Sequence, residues 1–273
     1  KVMKKTVLFT AALFAVTAVS AQTGEITSNR GENWLSQDGD WGLTFNANPL
    51  LNYAGNLFNG TTGNDIGGGL NFLSNDMVIR GKKLVDANTA YRGQIRIGFG
   101  SDKTTTETQS LASGATATDM VEDVTKDSYM NINLGAGIEK RVGSTRVVGV
   151  YGAMFNVGFG GSKTTNEYGN SLSATNPAAR PTEVKNGGTF SIGLNAFAGV
   201  EWFCAPKISL SGEYAWGLNM SSQGYGKTTT ESWDAPNSST KSTEVNTGDK
   251  TSSFGIDTGV SGAAMLGINF YFQ

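Results

Sequence analysis

The end of the chain sets the tightest limit on its fold. Counting every second residue from Phe254 to Phe272, one set is mostly apolar: Phe254, Ile256, Thr258, Val260, Gly262, Ala264, Leu266, Ile268, Phe270 and Phe272. The interleaved set is small or polar: Gly255, Asp257, Gly259, Ser261, Gly267, Asn269 and Tyr271, with Ala263 and Met265 among them. A period of two is that of a β-strand with one apolar face and one polar face. At about 3.3 Å per residue the stretch reaches about 60 Å, beyond the usual globular strand. A tilted strand crosses a bilayer with only about 9–11 residues. Apolar outside and polar inside is the pattern of a transmembrane β-barrel.

The other end of the sequence points to export. Lys1, Lys4 and Lys5 precede an apolar run from Val7 to Val19, and Val19-Ser20-Ala21 is a small-x-small cleavage site. These residues read as a signal peptide over 1–21. The run is short and broken by threonines, which argues against a membrane-spanning helix. No later segment approaches 18 consecutive apolar residues, so a helical membrane protein is excluded. A net charge of −2 argues against nucleic acid as a partner. The lone Cys204 can form no intrachain disulfide.

Between these ends the alternation recurs. Residues 22–39 read as a polar periplasmic lead-in, and 40–273 as the barrel itself. The first strand starts at Trp41, Leu43 and Phe45, with a bulge expected at Pro49. A second runs from about Leu70 to Lys83. A third carries Tyr91, Ile95, Ile97 and Phe99, and a fourth Met130, Ile132, Leu134 and Ile138. Val147 to Phe159, Phe190 to Trp202 and Ile208 to Met220 supply three more, before the C-terminal strand. The spacing predicts eight strands, or ten if residues 221–251 hide a hairpin. Connections are long at 56–69, 101–127, 161–188 and 221–251, and short at 85–88, 142–144 and 204–206. Short turns on one side and longer loops on the other are the rhythm of an antiparallel outer-membrane barrel. A secreted sandwich also alternates but need not keep that rhythm.

Three loop entrances resemble one another: Phe99-Gly-Ser-Asp-Lys103-Thr-Thr-Thr-Glu107, Phe159-Gly-Gly-Ser-Lys163-Thr-Thr-Asn-Glu167 and Tyr225-Gly-Lys227-Thr-Thr-Thr-Glu231. They read as copies of one hairpin unit.

Few residues offer chemistry. The glycine-rich stretches fail the phosphate-loop pattern, because Ser162 precedes Lys163 and Ser221 takes the first glycine's place before Gly226-Lys227-Thr228. Arg80, Lys82, Arg92, Arg96, Glu139, Glu201 and Glu213 all fall on polar faces, towards the short turns. An eight-stranded barrel is only wide enough for side chains to fill it, and buried charges must be paired. They are expected to form an ion-pair plug, or else to line a narrow gated pore. Lys103 and Lys126, Lys163 and Lys185, and Lys227 and Lys250 bracket the three large loops. They would ring the outer rim, facing lipopolysaccharide phosphates, or be plain solvated strand ends. Asp119, Glu122, Asp123 and Asp127 could gather around Ca²⁺, but no EF-hand spacing is present, so a solvated acidic loop is preferred. The chain has no histidine. Envelope hydrolases and acyltransferases mostly need one as general base, which argues against an enzyme. No metal and no cofactor is expected.

Several stretches are similar to small outer-membrane β-barrel proteins of Bacteroidota, whose architecture is that of the OmpA, OmpX and OmpW barrels. They are Trp41-Gly-Leu-Thr-Phe45 with Pro49-Leu-Leu-Asn-Tyr-Ala-Gly-Asn-Leu-Phe58, Asn88-Thr-Ala-Tyr-Arg92 with Ile95-Arg-Ile-Gly-Phe99, Gly137-Ile-Glu-Lys140 and Val150-Tyr-Gly-Ala153. Gly267-Ile-Asn-Phe-Tyr-Phe272 resembles the signal read by the barrel-assembly machinery, with Phe270 and Phe272 as its aromatics and Gln273 one residue beyond. The resemblance implies fold and location in a Gram-negative outer membrane, with its lipids and assembly machinery as partners. It implies no reaction. The expected role is structural or surface-exposed, or that of an accessory subunit in a larger outer-membrane assembly. The alternative is a narrow porin-like channel for small or apolar solutes. A soluble lipid-binding barrel, with its apolar face turned inward, stands as the counter-reading.

Overall fold

The computed structural model describes residues 26–46, 79–257 and 264–273. They form twelve antiparallel strands: β1 (Trp41–Asn46), β2 (Ile79–Asp86), β3 (Thr89–Gln109), β4 (Met120–Val142), β5 (Val147–Glu167) and β6 (Arg180–Lys185). The others are β7 (Thr189–Ala205), β8 (Ile208–Gln223), β9 (Gly226–Asp234), β10 (Ser239–Thr247), β11 (Thr251–Asp257) and β12 (Ala264–Phe272). All belong to one sheet. The expected signal peptide, the bulge at Pro49, the loop 56–69, the start of the second strand and the middle of the C-terminal strand (258–263) lie outside the described residues.

Pairing closes the sheet on itself. β1 pairs with β2 on one side and β12 on the other, in the register Trp41 opposite both Lys83 and Phe272. From β2 the ladder runs through β3, β4 and β5 to β7, then through β8 to β12 and back. The ring therefore has eight strands. β11 continues the line of β12 along β8, pairing Asp257 with Gly217 where β12 pairs Ala264 with Tyr214.

Beyond the ring the sheet projects on the side of the long connections. β3 and β4 stay paired out to Gln109 and Met120, so only residues 110–119 connect them, where a loop over 101–127 was expected. β5 runs to Glu167, and β6, β9 and β10 extend the sheet from it. The expected loops 161–188 and 221–251 are thus largely strand, and the hidden hairpin is β9–β10. These segments are rich in Thr and Ser with little contrast between faces, so alternation alone does not reveal them. β6 and β7, and likewise β8 and β9, are single passes broken by a kink. At that kink the Gly224 amide donates to Gly188 O (3.0 Å). A Cβ on Gly187 would lie 1.7 Å from Gly224 O, so only glycine lets the two backbones come this close.

The two faces of the ring differ as the alternation predicts. Trp41, Phe45, Ile95, Leu134, Phe155, Leu194, Trp202, Leu266, Phe270 and Phe272 all point outward and stay exposed. The interleaved residues, among them Thr44, Arg92, Glu139, Glu201 and Asn269, are buried inside. The inward-apolar arrangement of a soluble barrel is therefore not what the chain adopts.

An apolar layer closes the short-turn end of the ring. Leu84, Ala90, Val148, Val150, Phe203 and Tyr271 pack there with Leu35 from the lead-in, and Ile26 and Trp34 lie against them. The lead-in is held by Lys207, whose amide donates to Trp34 O (3.1 Å) and whose ammonium pairs with Asp40. Arg146 stacks on the Trp34 ring at 4.7 Å. A segment expected as a polar leader thus acts as a cap, because Trp34 and Leu35 give it an apolar foothold.

Candidate functional site

Inside the ring, just beyond that apolar layer, five strands bring charges together. Period-two alternation aims Arg80 and Lys82 from β2, Arg92 from β3, Glu139 and Arg141 from β4, Glu201 from β7 and Glu213 from β8 at the axis. Glu139 and Glu201 are fully buried. Arg141 Nη1 donates to Glu139 at 2.6 Å and lies 3.0 Å from Glu201. Lys82 Nζ stands 3.4 Å from both carboxylates. Arg92 reaches Glu213 at 2.9 Å and Glu139 at 3.5 Å, and Arg80 reaches Glu213 at 3.2 Å.

Neutral groups complete the shell. Tyr271 donates its hydroxyl to Glu201 (2.5 Å) and accepts from Arg141 (3.2 Å). Ser209 also donates to Glu201, and Asn269 bridges Ser209 (3.0 Å) to Thr44 (2.5 Å). The Arg92 guanidinium lies 4.2 Å from the centre of the Phe197 ring, a cation–π contact. Gly42 stands opposite both Lys82 and Tyr271, where a Cβ would come within 2.9 Å of each side chain. Its bareness lets the tyrosine ring lie flat against the wall. Above this level the lining turns to amides: Gln94 accepts from Arg80 Nε (3.1 Å) and donates to Asn156 (2.5 Å).

Burying charge is tolerable only where each ion meets opposite charge and its remaining donors are satisfied. Here every carboxylate has at least two cationic neighbours, while Arg92 Nη1 and Arg141 Nη2 are left without a hydrogen-bond partner among the described residues. The arrangement is a filled, cross-linked interior. Each carboxylate of the cluster is already held by cations, the one that accepts from Ser209 included.

No protein-family model and no curated protein matches the chain. Among solved structures it is similar to the crystal structure of a major outer membrane protein from Thermus thermophilus. The identity is 13%, the match covers 85% of this chain and 98% of that one, and the TM-score is 0.27. The likeness is too slight to bear on fold or role.

Of the seven lumen residues singled out from the sequence, Arg80, Lys82, Arg92, Glu139, Glu201 and Glu213 come together in the cluster. Arg96 follows on the same inward face of β3, half-buried. Arg141 and Tyr271 were missed as members. Both were legible by parity, Arg141 two residues beyond Glu139 and Tyr271 on the polar set of the last strand. The acidic residues of the outer segment do not gather. Asp119 caps the turn at Thr116 N (2.7 Å), Asp123 accepts from Gly169 N (2.9 Å) and Asp127 accepts from the Thr164 hydroxyl (2.5 Å). Strand alternation turns Glu122 to the face opposite Asp123 and Asp127. Among the described residues no group of three or more such ligands is placed to hold a metal ion. Phe270 and Phe272 point outward on β12, opposite Leu43 and Trp41 of β1. Of the rim lysines, five stand on neighbouring strands of the projecting sheet, and Lys250 lies in the exposed connection between β10 and β11.

Proposed function

We propose that the chain is a non-catalytic, eight-stranded transmembrane barrel of a Gram-negative outer membrane, plugged at its short-turn end. It serves as a surface-exposed structural protein or as an accessory subunit of a larger outer-membrane assembly. The observation that carries the reading is the wall's two-sidedness: large apolar side chains point away from the ring while paired Arg and Glu fill it.

The size of the outer apolar face supports the membrane reading. Trp41, Phe45, Tyr91, Phe99, Phe155, Phe159, Phe190, Trp202, Phe270 and Phe272 are each between 40% and 74% exposed. Together they present roughly 1,000 Å² of aromatic surface. Soluble monomers rarely leave more than a few hundred Å² of contiguous apolar surface in water. The band also has the right height. Tyr91 to Phe99 on β3 spans about 26 Å along the strand and Phe190 to Trp202 on β7 about 40 Å. At a tilt of about 40° these become about 20 and 30 Å, bracketing the apolar band of about 25 Å in outer-membrane barrels. The absence of histidine supports a role without catalysis.

Reconstitution into phosphatidylcholine vesicles, followed by planar-bilayer recording, tests the proposal. Protease-resistant insertion with heat-modifiable gel mobility and no conductance is the expected result. Steady conductance steps would replace the plug with a narrow channel, and failure to insert would remove the membrane assignment. Purification from native membranes in mild detergent separates the two roles, since an accessory subunit co-migrates with a larger complex.

A further inference from the structure

The outer face of the projecting sheet carries a feature the plug does not explain. Lys103 on β3 stands directly opposite Lys126 on β4, Lys163 on β5 opposite Lys185 on β6, and Lys185 opposite Lys227 on β9. Like charges facing each other across a ladder are destabilising. Parity places all five on the face that carries Phe99, Met130 and Phe159 lower down.

Carboxylates answer only part of the row. Glu183 lies 3.4 Å from Lys163 and 2.6 Å from Lys185, and Glu244 lies 2.6 Å from Lys227. Lys103 and Lys126 have no carboxylate at ion-pair distance among the described residues. Together with Lys163 they border a concavity of about 480 Å³, lined also by Ser128 and Thr165 and with Glu167 among its residues. That volume is within the range of small-ligand pockets. A second hollow, lined by Lys163, Lys185, Gly161 and Met130, leads down toward the apolar band.

Height selects the ligand. Lys103, Lys126 and Lys163 each stand four residues away from Phe99, Met130 and Phe159 respectively. Four residues are about 13 Å of strand, or about 10 Å of height at the tilt used above. The headgroup layer begins where the hydrocarbon ends and is about 5–8 Å deep on each side. The flexible four-carbon stem of lysine lets ammonium groups rooted at this height fold back to the outer edge of that layer.

We propose that this row binds the phosphate groups of phosphorylated lipid headgroups in the outer leaflet, with Lys103, Lys126 and Lys163 as the principal cations. The Thr165 hydroxyl lines the same hollow, and that of Ser128 donates to Lys163 O (3.2 Å). A bound phosphate would neutralise the facing lysines that the protein itself leaves unanswered. The proposal rests on the membrane reading.

The test is the selectivity of the reconstituted full chain for spin-labelled phosphatidic acid over spin-labelled phosphatidylcholine in phosphatidylcholine vesicles. Wild type is compared with K103Q/K126Q/K163Q, with the corresponding triple arginine variant, and with K241Q on β10 away from the row. Each lysine at an anionic surface contributes roughly fivefold. The wild-type preference for phosphatidic acid should therefore exceed that of the triple glutamine variant by between about fivefold and a hundredfold. The arginine variant and K241Q should keep the preference, and added salt should weaken it. Equal selectivity in wild type and the inserted glutamine triple would overturn the proposal and leave the barrel standing. Loss of the preference on adding millimolar inorganic phosphate would overturn the lipid as its source. Failure of wild type to insert at all would count against the membrane reading itself.

Discussion

Replacing Glu201 by Gln should cost the protein about 3–5 kcal/mol, the range for breaking one partner out of a buried ion pair. The side chain keeps its shape and one acceptor oxygen, so Tyr271 and Ser209 still have a partner. What is lost is charge. Arg141 at 3.0 Å and Lys82 at 3.4 Å would then share Glu139 alone, with Arg92 also pointing at that carboxylate. Both cations are at most 2% exposed at the side chain, so water cannot make up the deficit. Glu213 offers the internal control. Its side chain is 6% exposed and its partner Arg80 19%, so Glu213→Gln should cost less, about 1.5–3 kcal/mol. Removing Lys82 together with Glu201, as E201Q/K82M, restores the charge balance. It should be less destabilising than the sum of the single changes by about 1–3 kcal/mol.

The measurement is urea unfolding in detergent micelles, followed by tryptophan fluorescence, with heat-modifiable gel mobility as the check on folding. An E201Q variant within about 1 kcal/mol of wild type would refute the view that the cluster holds uncompensated charge when broken. So would strict additivity of E201Q and K82M, since residues in one network must couple.

Three other outcomes follow from the same geometry. Leu134 lies midway along the outward face of β4, between Met130 and Ile138, and is half exposed. Leu134→Arg should cost about 2–4 kcal/mol if that face meets hydrocarbon, and within about 0.5 kcal/mol if it meets water; unfolding from vesicles decides. Trp34→Ala should loosen the cap by about 1–2 kcal/mol, part of the full cost of emptying an aromatic site, read as faster hydrogen exchange at the Lys207 amide. The hydrogen bond from Lys185 onto Glu183, with the charges of Lys185 and Lys163, holds that carboxyl below the usual range. Its contribution is present above the ordinary carboxylate pKa and is lost as pH falls through the depressed value. Protection of the β6 amides should therefore fall as pH drops through that depressed carboxyl pKa, and Glu183→Gln should remove that pH dependence.

Much of this architecture was legible in the sequence, for a definite reason. A wall that turns apolar side chains to one side and packs charges on the other repeats its contrast every second residue. Tyr91, Ile95, Ile97 and Phe99 against Arg92, Gln94 and Arg96 therefore mark both strand and orientation. Where both faces meet water the contrast vanishes, as in Ser239–Thr247 of β10, and the projecting strands read as loop. The lead-in hid for the opposite reason. Its foothold is two adjacent residues, Trp34 and Leu35, too few to set a period. Arg141 is harder to read because it follows Lys140 directly before the expected turn at 142–144, where the contrast between faces is lost.

The same contrast explains why the interior is ionic rather than oily. A ring whose outer face is already apolar gains no inside–outside distinction from an apolar lining, and a one-residue slip of any strand would then cost little. With Glu139, Glu201 and Glu213 inside, a slip of β4, β7 or β8 by one residue would carry a carboxylate to the outer face. It would also bring an outward residue such as Ile138, Val200 or Gly212 against Lys82, Arg92 and Arg141. Both errors leave charge unpaired. Buried pairs are weak stabilisers compared with well-packed hydrocarbon, so the cluster's larger contribution is to make every wrong register expensive. That assigns specificity to the charges and thermodynamic support to the backbone ladder and the small apolar layer beneath them. It is also why the break in charge balance, rather than the loss of any single contact, governs what E201Q should do.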